Sequence, residues 1–218
     1  MNFNIEIIEK FWQYILSGIP VILLISLVAA FFGTVIGLVS VLLRRWTKVT
    51  KWITEAYIDI FRGTPVYVQL YFFYFGIPSL FKGLVIGKIF SCILIFSLNS
   101  GAYLAEIMRA GVDGIDKGQI EAARALGVGN KDIAKDIIIP QAFRKVLPAV
   151  INEFITLTKE TSVVSIVGVA DMMYKFQTVK NSIYNTFEPL LIVFVAYYVM
   201  NKILSFIGKA IEKRLKYD

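Results

Sequence analysis

The apolar stretch from Val146 to about Gly168 holds side chains that hydrocarbon does not accept without compensation: Asn152, Glu153, Thr156, Thr158, Lys159, Glu160, Thr161 and Ser162. A carboxylate inside a membrane costs several kcal/mol unless it is paired or hydrated, and by default it marks a pathway or a ligand. On an α-helix Glu153 and Glu160 fall two turns apart, on nearly one face and about 10 Å apart along the axis, with Thr156 between them. Lys159 is placed to neutralise one of them closely, most naturally its neighbour Glu160. Glu153 is left without an obvious local partner. A fixed negative charge there, assisted by Asn152 and Thr156, attracts the positive end of a small solute and repels an acidic one. Two plainer roles stand beside that one: Glu153 fastens a neighbouring helix, or it takes an ammonium group common to many solutes.

A second polar set lies halfway along the apolar run Ile89 to Met108: Ser97, Asn99, Ser100 and Gly101, with Tyr103 beyond. Polar groups at that depth either bond a neighbouring helix or line a water-filled cavity. Both readings hold for Ser97 and Ser100, and Asn99 reads as a cavity residue that joins Glu153.

The elements that position these groups follow from composition. With 57% hydrophobic and 18% charged residues and a mean hydropathy of +0.67, the chain reads as an all-α integral membrane protein. Its net charge of +7 is grouped between apolar runs, which is membrane topology and not a nucleic-acid face. One cysteine, Cys92, and no histidine exclude an internal disulfide and leave little for a metal centre or acid–base catalysis. No metal, no cofactor and no enzymatic activity are expected of this chain.

Residues 1–17 have helical apolar spacing, with Phe3, Ile7, Ile8, Phe11, Trp12 and Ile15 on one side, and are expected to lie in the interface with Trp12 and Tyr14 at headgroup level. No cleavable leader is expected, given Glu6 and Glu9 and the length of the next apolar run. Gly18 to Leu43 is uncharged and long enough to cross a core of about 30 Å. Its Gly33 and Gly37 suit close helix approach, within the chain or between chains. Arg44, Arg45, Lys48 and Lys51 mark the cytoplasmic side, so the N-terminus is placed outside. A second span, Val66 to Leu80, follows the interruption Gly63-Thr64-Pro65, and Arg62 is expected to pair with Asp59 or only to orient the start of that span. Residues 77–87, with Lys82, and Lys88 form an external connection that is not a phosphate-binding loop. Ile89 to Met108 is the third span, 109–145 a basic cytoplasmic loop, Val146 to Gly168 the fourth span and Leu190 to Ile207 the fifth. Asp171 to Pro189 is external, and Lys209, Lys213, Arg214 and Lys216 place the C-terminus inside. One domain, residues 1–218, uses the whole chain.

The loop 109–145 carries a polar island, Glu121 to Pro140, EAARALGVGNKDIAKDIIIP. Residues Glu121 to Leu126 form good helix, and Gly127 is suited to end it in a left-handed cap. A second short helix is expected, capped by Asn130 or Asp132, with Pro140 ending it or marking the return to the membrane. Glu121-Ala122-Ala123, Gly127, Ile137, Ile139 and Pro140 have the spacing of the EAA loop, and in this respect the chain resembles the membrane subunits of binding-protein-dependent ABC importers. FRGTPVYVQLYFFYFG (Phe61 to Gly76), SLNSGAYLAEIMRAGVDGIDKGQIEAARALG (Ser97 to Gly127) and Lys159-Glu160-Thr161-Ser162-Val163-Val164 with Gly168 resemble the polar amino acid branch of those permeases.

The resemblance implies the type I ABC importer transmembrane domain: five transmembrane helices, an N-terminal interfacial helix and cytoplasmic coupling helices. It implies two cytoplasmic ATPases that bind ATP and magnesium, a second permease subunit, identical or not, and an extracytoplasmic amino-acid-binding protein, in the bacterial cytoplasmic membrane. Glu121, Ala122, Ala123, Gly127 and Pro140 would then serve the ATPase contact, and Asn152, Glu153, Thr156, Asn99, Ser97 and Tyr103 the substrate. Lys159 and Glu160 would form a gate, or else a permanent ion pair. Glu153 favours cationic amino acids such as arginine, lysine or histidine, with glutamine or another polar amino acid as the alternative. An ion-gradient transporter would show more helices and paired broken halves. A membrane enzyme would need convergent catalytic groups that this chain does not offer.

Overall fold

Helices make up every regular element of the computed structural model, which describes residues 3–81 and 83–215. Lys82 and Lys216 lie outside the described residues.

Helix α1 (Ile5–Leu16) is capped by the Asn4 side chain, which accepts from the Glu6 amide. It passes into α2 (Ile19–Leu43) through a turn at Ser17 and Gly18. Ile15 is buried among Ile22 of α2, Phe176 and Val179 of α10 (Met172–Ile183) and Ile192 and Met200 of α11 (Phe187–Leu215), while Trp12 and Tyr14 stay exposed. Gly18 packs so tightly on the start of α10 that a Cβ there would lie 2.3 Å from Met172 N.

Helix α6 (Lys88–Asp113) is the central element, and α2 packs along it through glycine. A Cβ on Gly37 would lie 3.0 Å from Leu104 Cβ, and one on Gly101 would lie 2.7 Å from Ile36 Cγ2. The Gly33 and Gly37 pair is therefore used inside this chain, where backbone approach gives dispersion contacts that larger side chains would prevent. The main core joins Ile25 and Ala29 of α2, Leu70 of α4 (Val66–Tyr71), Cys92 and Phe96 of α6, Leu157 of α9 (Ile139–Glu160) and Val164 beyond it.

Helix α3 (Lys48–Gly63) starts with a Thr47 and Thr50 capping box and stops before Pro65, whose ring disfavours helix at Thr64. After α4 the chain widens into a π-helical turn, Phe72–Gly76, and ends in the short α5 (Ile77–Leu80). The cytoplasmic loop contains α7 (Lys117–Ala125), a single turn α8 (Asn130–Asp132) and a π-helical segment Ile133–Ile138 that runs directly into α9. Residue Gly129, with no side-chain cap bond, precedes α8, so the expected capping by Asn130 or Asp132 is not made: helix begins at Asn130 itself. Pro140 sits in the first turn of α9, directly after the π-helical segment, and marks the return of the chain.

Three stretches are long and apolar enough to cross a membrane: Ile5–Leu43, Lys88–Asp113 and Phe187–Arg214. Val66–Leu80 is apolar but shorter, and α9 is not among the three because its charged residues lower its hydropathy.

Candidate functional site

Helix α9 has three sides. Leu157 and Thr158 are buried, and the Thr158 hydroxyl lies 3.1 Å from Asn201 Oδ1 of α11. Lower down, α11 approaches through Gly208, where a Cβ would lie 2.7 Å from Ile151 Cγ2. Toward α6, the Glu153 carboxyl faces the Ser100 hydroxyl. That hydroxyl is buried and has no partner at hydrogen-bond distance. Between these two packed sides Asn152 and Lys159 are exposed and Thr156 is half-buried. Glu153 and Glu160 lie within Coulombic range of each other. Among the described residues no lysine or arginine stands within 4.0 Å of either carboxylate, and Lys159 makes no ion pair at that distance. The 3-10 turn Thr161–Val167 ends at Gly168 in left-handed conformation (φ 75°), and Gly168 O accepts from Lys88 Nζ at 2.6 Å, tying the external end of α6 to the end of this segment.

Asn99 is buried rather than open to a cavity in this chain: its amide donates to Phe61 O at 3.0 Å and to Gln69 Oε1 at 3.1 Å. Gln69 Nε2 in turn donates to Phe61 O, Thr64 O and Thr64 Oγ1. The two amides thus satisfy carbonyls that the break at Gly63-Thr64-Pro65 would leave bare in a low-dielectric region. Ser97 is buried and bonded back to Ile93 O within its own helix. Tyr103 is exposed and lies under Arg62, whose guanidinium carbon is 5.4 Å from the ring centroid. Arg62 is not joined to Asp59, as expected from spacing, but sits 3.9 Å from Glu106 Oε2. Glu106 also meets Arg44 and Arg109, each at 2.8 Å, and Arg44 meets Glu55 at 2.8 Å. This network ties the C-terminal end of α2, α3 and the C-terminal half of α6 together.

In the polar island, the Gly127 amide donates to Arg124 O and the Val128 amide to Ala123 O, with Gly127 at φ 79°. This is a Schellman motif, and it is the left-handed stop expected of Gly127. Ala123 is buried, whereas Glu121, Ala122 and Pro140 are exposed and Leu126 is 84% exposed.

Residues 29–217 match the family model of the binding-protein-dependent transport system inner membrane component. This chain belongs to that family. The permease is 45% identical, over 93% of each chain, to the arginine transport system permease protein ArtQ of Bacillus subtilis (strain 168). It is 39% identical to a putative glutamine transport system permease protein GlnP of Rickettsia conorii, over 96% of this chain and 98% of the relative. Its fold matches a crystal structure of an amino acid ABC transporter with histidines at a TM-score of 0.92 and 34% identity, over 98% of this chain and 100% of that one. It is an amino acid ABC importer permease of the inner membrane. ATP binding belongs to a partner ATPase, and a binding protein is the other partner the family implies. The rival readings as a gradient-driven transporter or an enzyme fall with that membership.

Sequence reasoning passed over Gln69, Glu106 and Lys202. Gln69 is the one amide in an aromatic run, Glu106 stands within reach of several arginines, and Lys202 is a cation inside the fifth apolar run. Each carried the signal of an isolated polar group in an apolar context.

Proposed function

We propose that this permease imports cationic amino acids and that Glu153 is the charge that selects them. The observation that carries the proposal is the position of Glu153: a half-buried carboxylate beside an unpartnered buried hydroxyl, with no cation of the described residues at ion-pair distance. Such a group is stabilised by a positive ligand and works against a negative one. The arginine permease at 45% identity supports the same choice. Glutamine is the second reading, favoured by the relatives at 39% identity; in that case Glu153 meets the α-ammonium group.

The rest of the reading is of one piece with this. The single domain 1–218 spans the membrane five times, with the N-terminus outside and the C-terminus inside, as the basic clusters at Arg44 to Lys51 and in loop 109–145 favour. A second permease subunit closes the open side of α9, where Asn152, Thr156 and the gate residues Lys159 and Glu160 lie. The helix Glu121-Ala122-Ala123 with Gly127 and exposed Leu126 docks on the ATPase.

The test is ATP-dependent arginine uptake into proteoliposomes holding the complete transporter, with lysine, histidine, glutamine and glutamate as competitors. Competition by the cationic amino acids alone supports the proposal. In Glu153→Gln, arginine uptake should fall about tenfold or more, the loss of one charge-assisted contact. Unchanged arginine uptake by that variant removes Glu153 from the site.

A further inference from the structure

A cavity of about 960 Å³ lies between α9, α10 and α11, and Lys159, Ser162, Tyr197, Asn201, Lys202 and Lys209 are among the residues that line it. No carboxylate of the described residues lines it. Among the described residues none of the three lysines has a carboxylate within 4.0 Å; Glu160 interacts with Lys159 only at longer range. Tyr197 also lines the space, but its hydroxyl is buried within charge range of Asp171 and is not part of the donor set. Lysines around one space, none of them paired with a carboxylate, favour an anion there.

Lys159 and Lys202 lie deeper than Lys209, which lines the same space nearer the cytoplasmic edge. Lys159 lies about 20 Å along α9 from Val146, where the apolar run begins. Lys202 is at a similar level, since its neighbour Asn201 meets Thr158. The Lys202 ammonium rests 5.5 Å from the centroid of the Tyr198 ring, one turn nearer the external end, so it leans away from the cytoplasmic surface and does not snorkel to it. A lipid phosphate belongs at the edge of a core about 30 Å thick, not at this level.

We propose that Lys159 and Lys202 receive the α-carboxylate of the amino acid in transit. The inference rests on amino acid import, and not on which amino acid is carried. Every amino acid brings a carboxylate whatever its side chain, and a site offering Glu153 alone would set like charges against each other. Lys159 lies about 9 Å from Glu153 along the axis of α9, at the other border of the same open side. An amino acid lying along that side places its positive end at Glu153 and its carboxylate at the lysines.

The experiment uses the permease and ATPase complex in nanodiscs and follows acylation of lysines by a small amine-reactive reagent, read by mass spectrometry. Arginine and glutamine are compared with their carboxamides, argininamide and glutaminamide. Either amino acid should slow the labelling of Lys159 and Lys202 about tenfold, as one charge-assisted contact would, and the amides should not. In Lys202→Gln the protection of Lys159 should be lost, and in Lys202→Arg it should return. Equal labelling with and without amino acid overturns the proposal, including labelling that is slow throughout because lipid or a partner subunit covers the lysines. Protection by the amides as strong as by the acids also overturns it. Protection by glutamine but not arginine upholds the carboxylate site and removes the cationic selectivity proposed for Glu153.

Discussion

Asp171, at the start of α10, should make the permease more stable in mild acid than at neutral pH, and substitution by asparagine should abolish the difference. Its Oδ1 caps α10 by accepting from the Tyr174 amide at 2.8 Å, while Oδ2 is buried with no partner. Burial pushes the carboxyl from 3.8 up to about 6, against the pull of the backbone amides at the helix start. The folded state then holds the proton more tightly than the unfolded chain, so the stabilisation is fully present below the unfolded value and is lost as pH rises through about 6. A shift of about two units at about 1.4 kcal/mol each is worth about 3 kcal/mol. Asparagine caps as well as aspartate and carries no charge to bury. Asp171→Asn should therefore gain up to about 3 kcal/mol at pH 7.5 and less than about 1 kcal/mol at pH 4. At about 2–4 °C per kcal/mol for a chain of this size, the midpoint should rise by about 6–12 °C at pH 7.5. The assay is thermal unfolding in detergent at one scan rate for both proteins at both pH values. An equal gain at the two pH values, or a loss at pH 7.5, refutes the reasoning.

Gly101→Ala would put a methyl 2.7 Å from Ile36 and 2.9 Å from the Tyr57 hydroxyl; the overpacking should cost about 1–3 kcal/mol, seen as a lower unfolding midpoint. Glu106→Gln removes the charge shared by Arg44, Arg62 and Arg109; because the group is partly exposed, about 1–2 kcal/mol should be lost, with a shrinking difference from wild type at high salt. Gly127→Ala meets no atom within 4 Å, so its cost is the left-handed backbone alone, about 1 kcal/mol. Its unfolding midpoint should fall by only about 2–4 °C, whereas ATP-driven uptake should fall, since the stop of α7 sets how Leu126 is presented.

What the sequence made legible was what depends on local chemistry. Gly127 ends α7 because only glycine accepts φ 79° without strain, and Pro140 stands where the π-helical segment gives way to α9. The charges of α9 were visible because an apolar run makes each of them conspicuous. Partners were not visible. Asn99 has its amide bonded to Phe61 and Gln69, and Arg62 leans on Tyr103 and Glu106, because helices α3, α4 and α6 bring together residues far apart in sequence. The choice between a bonded and a cavity-facing polar group turns on such neighbours, and periodicity along one helix does not contain them. The widened turns Phe72–Gly76 and Ile133–Ile138 left no sequence signal either, since a π turn uses ordinary helix formers.

The open side of α9 and the bare face of α11 have one explanation. Only 17% of the apolar window of α11 is buried, against 61% for α6, so α11 waits for lipid or protein on its outer face. Lipid suits Phe194 and Phe206 but not Lys202, and it suits neither Asn152 nor Lys159 on the adjoining side of α9. A water-filled pathway bounded by a second subunit suits all of them. On the proposed coupling, movement of the ATPase enters at α7 and reaches the π segment, which continues without a break into α9. About 21 Å of helix then leads from Ile139 to Glu153. The upper end of that helix is held through Gly168 to Lys88, and the lower end of α6 is held by the Glu106 network. With α6 fixed at both ends, displacement of α9 must be taken up where it crosses Gly111, beside which Val146 packs closely, and at Pro148. Glu153 and Lys159, the residues proposed to meet the substrate, lie beyond Pro148 on α9.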